Sequence, residues 1–178
     1  MFNNFVEDII DIRSMKAVYL APILLLCILG AYSANPKHGV GCSDTCTVSP
    51  LQSLKVSWHY DWNYYTNLTT SFEFVPMCYS GTDKRLSTLP AFSSVLLGFN
   101  EPDNSGQANM TVDDAYNKWS TLVSKSGLIA SPASAGNPAA AGSWLEQFMA
   151  KVPTPKVDYI AVHWYGGIYA SSFKTRMQ

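Results

Sequence analysis

Charge is what this 178-residue chain has least of: 14% of its residues are Asp, Glu, Lys or Arg, and the formal net charge is −1. A near-neutral chain offers a phosphate backbone little to bind, which argues against nucleic acid as a partner. Histidine is scarce at three residues, and cysteine stops at four. No second Cys pair and no spaced His pair completes a zinc site, so no metal is expected, and nothing implies a cofactor. Carboxylates are missing altogether from the tail Gly166–Gln178. What the chain does have is aromatic surface, with 5 Trp and 10 Tyr. Such rings fill cores, and they also form the flat apolar platforms on which sugars stack. The length suits one domain.

One long apolar run is present, Ala17–Leu29, interrupted by Pro22. Met15-Lys16 precedes it, and the small residues Gly30, Ala31, Ser33 and Ala34 follow. A basic residue, a short apolar stretch and a small-residue exit describe a secretory signal peptide cut after Ser33 or Ala34. The competing reading, a membrane anchor, needs roughly 20 apolar residues without a breaker. Residues 1–14 carry Glu7, Asp8 and Asp11, an acidic preface that fits a start at Met15. Residues 1–34 are therefore read as an address with no part in the fold, and 35–178 as a secreted domain, outside the cell or in its wall, without stable membrane insertion. Cys27 leaves with the signal. Cys42 and Cys46 are close enough to pair across a short loop, which leaves Cys78 odd; a partner elsewhere in a longer chain is the alternative. Asn67-Leu68-Thr69 and Asn109-Met110-Thr111 are glycosylation acceptor triplets.

The stretch that organises the rest is Val95–Asp103, Val-Leu-Leu-Gly-Phe-Asn-Glu-Pro-Asp. A continuous apolar run of this length predicts a strand buried on both faces. Pro102 cannot donate to a sheet, so the strand should stop near Glu101. That sets Asn100 and Glu101 at the C-terminal end of a buried parallel strand, where α/β folds keep their chemistry. Further strands are expected at Val56–Trp62, Phe72–Tyr79, Leu128–Ser131 and Val157–Tyr165, from their apolar and β-branched or aromatic make-up. Asp83–Phe92 has room for a short helix only. Thr111 with Asp114 resembles a capping box, and Ala115, Trp119, Leu122 and Val123 then share one helix face, with Gly127 as the stop. Ser134–Gly142 is a small-residue loop. Ser143 and Glu146 form a second box, followed by Trp144, Leu145, Phe148, Met149 and Val152 as an apolar face closed by Pro153. Trp119 and Trp144 are read as core. Strands alternating with helices imply parallel βαβ units.

Gly98-Phe99-Asn100-Glu101-Pro102-Asp103 resembles the acid/base strand of the retaining (β/α)8-barrel glycosidases. With Val56–Trp62, Glu73–Met77 and Asp158–Gly166 in the same order, the chain resembles more narrowly the fungal-type glycosyl hydrolase catalytic core (Asl-like, glycoside hydrolase family 128), whose members act on β-1,3-glucans. The resemblance implies an α/β TIM (β/α)8 barrel with His38–Cys42 as its first strand. It implies that Glu101 is the catalytic acid/base, protonated near neutral pH, and that Asn100 bonds a sugar 2-hydroxyl. It also implies that His163 or Tyr165 orients a carboxylate, and that Trp164 offers a stacking face. Trp58, Tyr60 and Trp62 share one strand face, so only Trp62, nearest the rim, is a binding candidate. Six strands are visible, whereas a full barrel needs about 200 to 250 residues. The family keeps its nucleophile on a seventh strand, and no carboxylate follows Tyr165. The chain thus reads as a secreted, monomeric β-glucan hydrolase truncated after the sixth strand, with an open sheet edge there. The alternatives are a non-catalytic glucan-binding or structural secreted protein and an inactive gene fragment.

Overall fold

The computed structural model describes residues 10–11, 37–42, 47–167 and 169–176. Its parallel strands are β1 (Gly39–Gly41), β2 (Trp58–Tyr60), β3 (Glu73–Phe74), β4 (Phe92–Leu96), β5 (Ser126–Ile129) and β6 (Tyr159–Ile160). Helix α1 (Val48–Leu54) follows β1, α2 (Asp83–Thr88) follows β3, α3 (Val112–Lys125) follows β4, α4 (Trp144–Met149) follows β5, and α5 (Ala170–Arg176) follows β6. Each strand lies beside the next in chain order. β1–β2, β2–β3 and β4–β5 are paired ladders, while the bridges Met77↔Leu97 and Ala130↔Tyr159 carry the wall from β3 to β4 and from β5 to β6.

One face of this wall carries Tyr60, Val75, Met77, Leu97, Ala130, Ala133 and Ala161. The other packs on the helices: Cys42, Leu51 and Val56 under α1, and Leu96, Phe99, Ile129, Trp119, Leu122 and Phe148 under α3 and α4. Both faces are covered, which is why the strands read as apolar runs and not as alternations. Trp119 meets Phe99 and Phe148 edge-on at 5.7 and 5.1 Å, and Trp144 stacks on Phe148 at 5.5 Å. Their indole N–H groups donate to the Lys156 and Met110 carbonyls. Both tryptophans are core, as expected. Both helices are N-capped, Thr111 accepting from Asp114 N and Ser143 from Glu146 N, each at 3.1 Å, while the Glu146 carboxylate accepts from Gly142 N and not from Ser143 N.

Several expectations need correction. The regular strands are shorter than their apolar runs, because pairing beyond them is by isolated bridges. Between β2 and β3, for which no element was expected, the chain forms no helix. Residues 61–72 instead turn on side chains, with Asp61, Thr66 and Thr70 accepting from the backbone N–H groups of Asn63, Leu68 and Phe72. Gly127 does not stop α3. Ser126 already takes extended backbone, and Gly127 lies within β5, where a Cβ would meet the Ser93 carbonyl oxygen at 2.6 Å. Val152 leaves the α4 face, since the helix has ended by Ala150, and it is 88% exposed. Ile10 and Asp11 pair antiparallel with Ile160 and Tyr159. The edge of β6 offers unpaired N–H and C=O groups, and an extended dipeptide satisfies them. Ala17–Leu29, the cleavage region, Cys27 and Cys46 lie outside the described residues. Cys42 is disulfide-bonded and Cys78 is a buried free thiol.

Gly98 decides how closely β4 and β5 approach. A Cβ there would meet the Ala130 carbonyl oxygen at 2.8 Å and the Pro132 nitrogen and Ser131 carbonyl carbon at 2.9 Å, all backbone atoms. Gly98→Ala is therefore expected to cost about 1–3 kcal/mol, the usual cost of overpacking. Urea unfolding checks this, and a midpoint equal to that of the parent would refute the close-approach account.

Candidate active site

Two residues past Gly98, Asn100 bridges Ala133, four residues beyond the end of β5. Glu101 N then donates to the Ala133 carbonyl, and Asn104 N donates back to the Glu101 carbonyl. Held on both sides, Glu101 adopts left-handed backbone, φ 44°. A non-glycine residue pays roughly 1–3 kcal/mol to stay there. The return is direction: the side chain leaves the strand and turns toward the end of β6.

There the Glu101 carboxyl, 4% exposed, meets three donors. His163 Nδ1 lies 2.7 Å from Oε1, Tyr165 Oη donates to the same oxygen, and Asn104 Nδ2 donates to Oε2 at 2.9 Å. With Glu101 ionised, Nδ1 carries the proton of the His163 contact. The rings of His163 and Tyr165 stand edge to face, centroids 6.0 Å apart, with Tyr165 Oη 3.3 Å from His163 Nδ1. Burial works to raise the Glu101 pKa, but the bonds from Tyr165, His163 and Asn104 outweigh it and hold the carboxyl below its ordinary value. This corrects the expectation of a protonated Glu101. The side chains that touch Glu101 are all able to donate.

Asn100, 3% exposed, donates from Nδ2 to Gln107 Oε1 at 3.0 Å, and Tyr79 Oη donates to the same oxygen. Asp103 reaches the loop after β5, where its two carboxylate oxygens accept from Ala135 N and Gly136 N, each at 2.8 Å. The structure thus gathers Glu101, Asn100, His163 and Tyr165 of the predicted set. Trp62 and Trp164 pack elsewhere along the strand ends. Trp62, half-buried with φ 60°, leans on Tyr60 at 4.8 Å and over Gly41. Trp164 donates to the Gly167 carbonyl and meets Phe173 edge-on at 5.7 Å, beside an open groove lined by Ser171, Ser172 and Thr175. Asn67 and Asn109 are exposed.

Sequence reasoning missed Asn104, Gln107 and Tyr79. Asn104 sits in Asp103-Asn104-Ser105-Gly106, whose composition by itself indicates only a turn. Tyr79 ends the expected third strand, Phe72–Tyr79, and the strand-end rule applied to Glu101 and Tyr165 would have found it. Gln107 had no signal, since its contact with Asn100 depends on how the loop folds back. Among the described residues, no group of three or more His, Cys, Asp or Glu is placed to hold a metal. The buried Cys78 thiol is no nucleophile, because burial pushes its pKa up to about 12, more than Arg85 lowers it.

A pH prediction follows from the grip on Glu101. Its folded-state pKa lies below the unfolded value, about 4.3. The carboxylate therefore adds stability above that value, and the contribution disappears as pH falls through the lower folded-state pKa. Tyr165→Phe removes one donor, so the Glu101 pKa should rise in a carboxyl NMR titration. The stability deficit of the variant should be present at about pH 7 and shrink toward the acid end, as pH falls below the unfolded-state value and through the lower folded-state one. A deficit of the same size at both ends would show that Tyr165 does not act through the charge.

The chain has known relatives. A model of the glycosyl hydrolase catalytic core family matches residues 35–178. Alkali-sensitive linkage protein 1 of Schizosaccharomyces pombe is 32% identical over 117 residues, covering 62% of this chain and 22% of that protein. The crystal structure of a GH128 (subgroup I) endo-β-1,3-glucanase from Amycolatopsis mediterranei in complex with laminaritriose aligns with TM-score 0.66 and 33% identity, over 78% of this chain and 64% of that one. A GH128 (subgroup III) curdlan-specific exo-β-1,3-glucanase from Blastomyces gilchristii in complex with glucose aligns with TM-score 0.53 and 28% identity, over 68% and 58%. The chain spans less than two thirds of the length of each of these relatives. The likeness identifies the wall of parallel strands as a TIM-barrel-like α/β fold. With a family match that runs through all the described elements from β1 onward, the chain belongs to the glycosyl hydrolase catalytic core family.

Proposed function

We propose that this chain carries the acid/base half of a β-1,3-glucan site, with Glu101 as the proton-handling group and Asn100 as the residue that binds a sugar hydroxyl beside it. The observation that carries the reading is the buried Glu101 carboxyl, held in strained backbone at a strand end by Tyr165, His163 and Asn104. Strain and burial at one carboxylate are what a structure retains for chemistry and not for stability. The relatives crystallised with laminaritriose and glucose support a glucan as the ligand. Retaining hydrolysis uses a second carboxylate about 5 Å from the first. The residues after Tyr165 hold none, and Glu101 is tuned toward its charged form. We therefore read the 178 residues by themselves as binding β-1,3-glucan without cleaving it. Hydrolysis needs a second carboxylate beside Glu101, and its charge would raise Glu101. In this reading Trp62 and Trp164 supply stacking faces, the protein is a secreted monomer, Asn67 and Asn109 accept glycans, and no cofactor takes part.

Two measurements test this. In a version carrying the second carboxylate, Glu101→Gln should slow laminarin hydrolysis by about 10² to 10⁴-fold, the usual contribution of general acid–base catalysis, and should spare the fold. Hydrolysis at the parent rate would remove Glu101 from the acid/base role. The 178-residue chain should bind laminaritriose in calorimetry and release no reducing sugar from laminarin. Turnover by this chain alone would refute the division of labour.

A further inference from the structure

The loop between β4 and α3 holds both site residues by its own amides. Asn104 Nδ2 donates to Glu101, while its Oδ1 accepts from Gly106 N and its carbonyl from Gln107 N, both at 3.0 Å. Ala108 N closes the loop onto the Asn100 carbonyl at 3.1 Å. The side chain of Gln107 is thereby carried to the Asn100 amide. Its Oε1 then accepts twice, from Asn100 Nδ2 at 3.0 Å and from Tyr79 Oη. Two donors use both lone pairs of one carbonyl oxygen. Tyr79 is held in its turn, with the Arg85 guanidinium 5.6 Å from its ring centroid and Arg85 Nη1 donating to Asn63 Oδ1 at 3.3 Å.

We infer that Gln107 is a positioning residue that decides which end of the Asn100 amide is offered to the sugar; this rests on the reading of Asn100 as a sugar-binding residue. Turning the Asn100 amide over would set its Oδ1 against Gln107 Oε1, acceptor against acceptor. While Tyr79 Oη donates to Gln107 Oε1, that oxygen stays turned to Asn100, and the amide is held with Nδ2 toward it. The remaining atom, Oδ1, is buried and makes no hydrogen bond among the described residues. A buried acceptor without a donor is costly, so a group that donates there binds more tightly. The ligand chemistry it selects is a hydroxyl that gives its proton to Asn100, as a pyranose ring hydroxyl does, and an ether oxygen or a deoxy position cannot substitute for it. Gln107 is exposed, so it acts through Asn100 and not through core packing.

The test compares Gln107→Met, which keeps length and removes the acceptor, with Gln107→Glu, which keeps the acceptor. In the sugar-free protein, the Asn100 side-chain NH₂ signals, identified by their loss in Asn100→Asp, should exchange faster with solvent in Gln107→Met and stay near the parent rate in Gln107→Glu. In calorimetry with laminaritriose, Gln107→Met should raise the dissociation constant about tenfold, the worth of one hydrogen bond, and Gln107→Glu should stay within about threefold. The inference is overturned if Gln107→Met leaves the NH₂ exchange at the parent rate. It is equally overturned if Gln107→Glu loses as much binding as Gln107→Met, because the acceptor would then not be what matters. If the parent chain binds no laminaritriose, the glucan reading fails, and the NH₂ exchange alone still decides whether Gln107 locks the amide.

Discussion

A carboxylate that has given up nearly all its water keeps its charge only where donors replace that water. Glu101 is in that position, and the strand ends are arranged around the requirement. Two of its donors, His163 and Tyr165, come from beyond β6, two strands away, and one, Asn104, comes from its own loop. The distance from β4 to β6 is set by β5 between them. Glu101 N and Ala133 N bond across β4 and β5, while Ser131 N donates to the Tyr159 carbonyl and Ala161 N to Ser131 Oγ across β5 and β6. The close contact at Gly98 sits on the same seam. The position of the imidazole at Glu101 is thus a property of three strands in register.

Holding a charge and giving up a proton are opposite tasks for one group. The three donors favour the carboxylate, so in this arrangement Glu101 is a better acceptor than acid. General acid work needs the reverse, an environment that penalises charge. Burial already pulls that way and is merely outweighed, so the balance turns on a few hydrogen bonds. Of these, the one from Tyr165 comes from a residue that is 59% exposed, whereas His163 is buried. The exposed donor is the one a ligand can reach.

Much of this was legible in the residues because it depends on local patterning. The apolar run into Asn100-Glu101-Pro102 marked a buried strand end, the Thr111 and Ser143 caps placed two helices, and the faces of Trp119 and Leu122 on one and Leu145 and Phe148 on the other placed the core under them. What was not legible depends on contacts between segments. Gly127 looked like a helix stop because glycine often is one, and only the neighbouring Ser93 backbone shows why a side chain is excluded. The segment between β2 and β3 carries no periodic pattern, and the hydrogen bonds that Asp61, Thr66 and Thr70 offer its backbone show only in the folded chain. The charge state of Glu101 was misjudged for the same reason, since burial can be guessed from a strand end and donors arriving from 62 and 64 residues away cannot.

The fork that Asp103 makes on Ala135 and Gly136 ties the loop after β4 to the loop after β5. The two loops are therefore one module in the sense that matters for recombination between relatives. A graft of the Glu101–Met110 segment into another barrel brings an aspartate that looks for two backbone N–H groups on a neighbouring loop. A graft of the Ser134–Gly142 segment leaves that aspartate behind. Variation in these loops is expected to travel in pairs, and the boundary of an exchangeable unit here runs around β4 and β5 together.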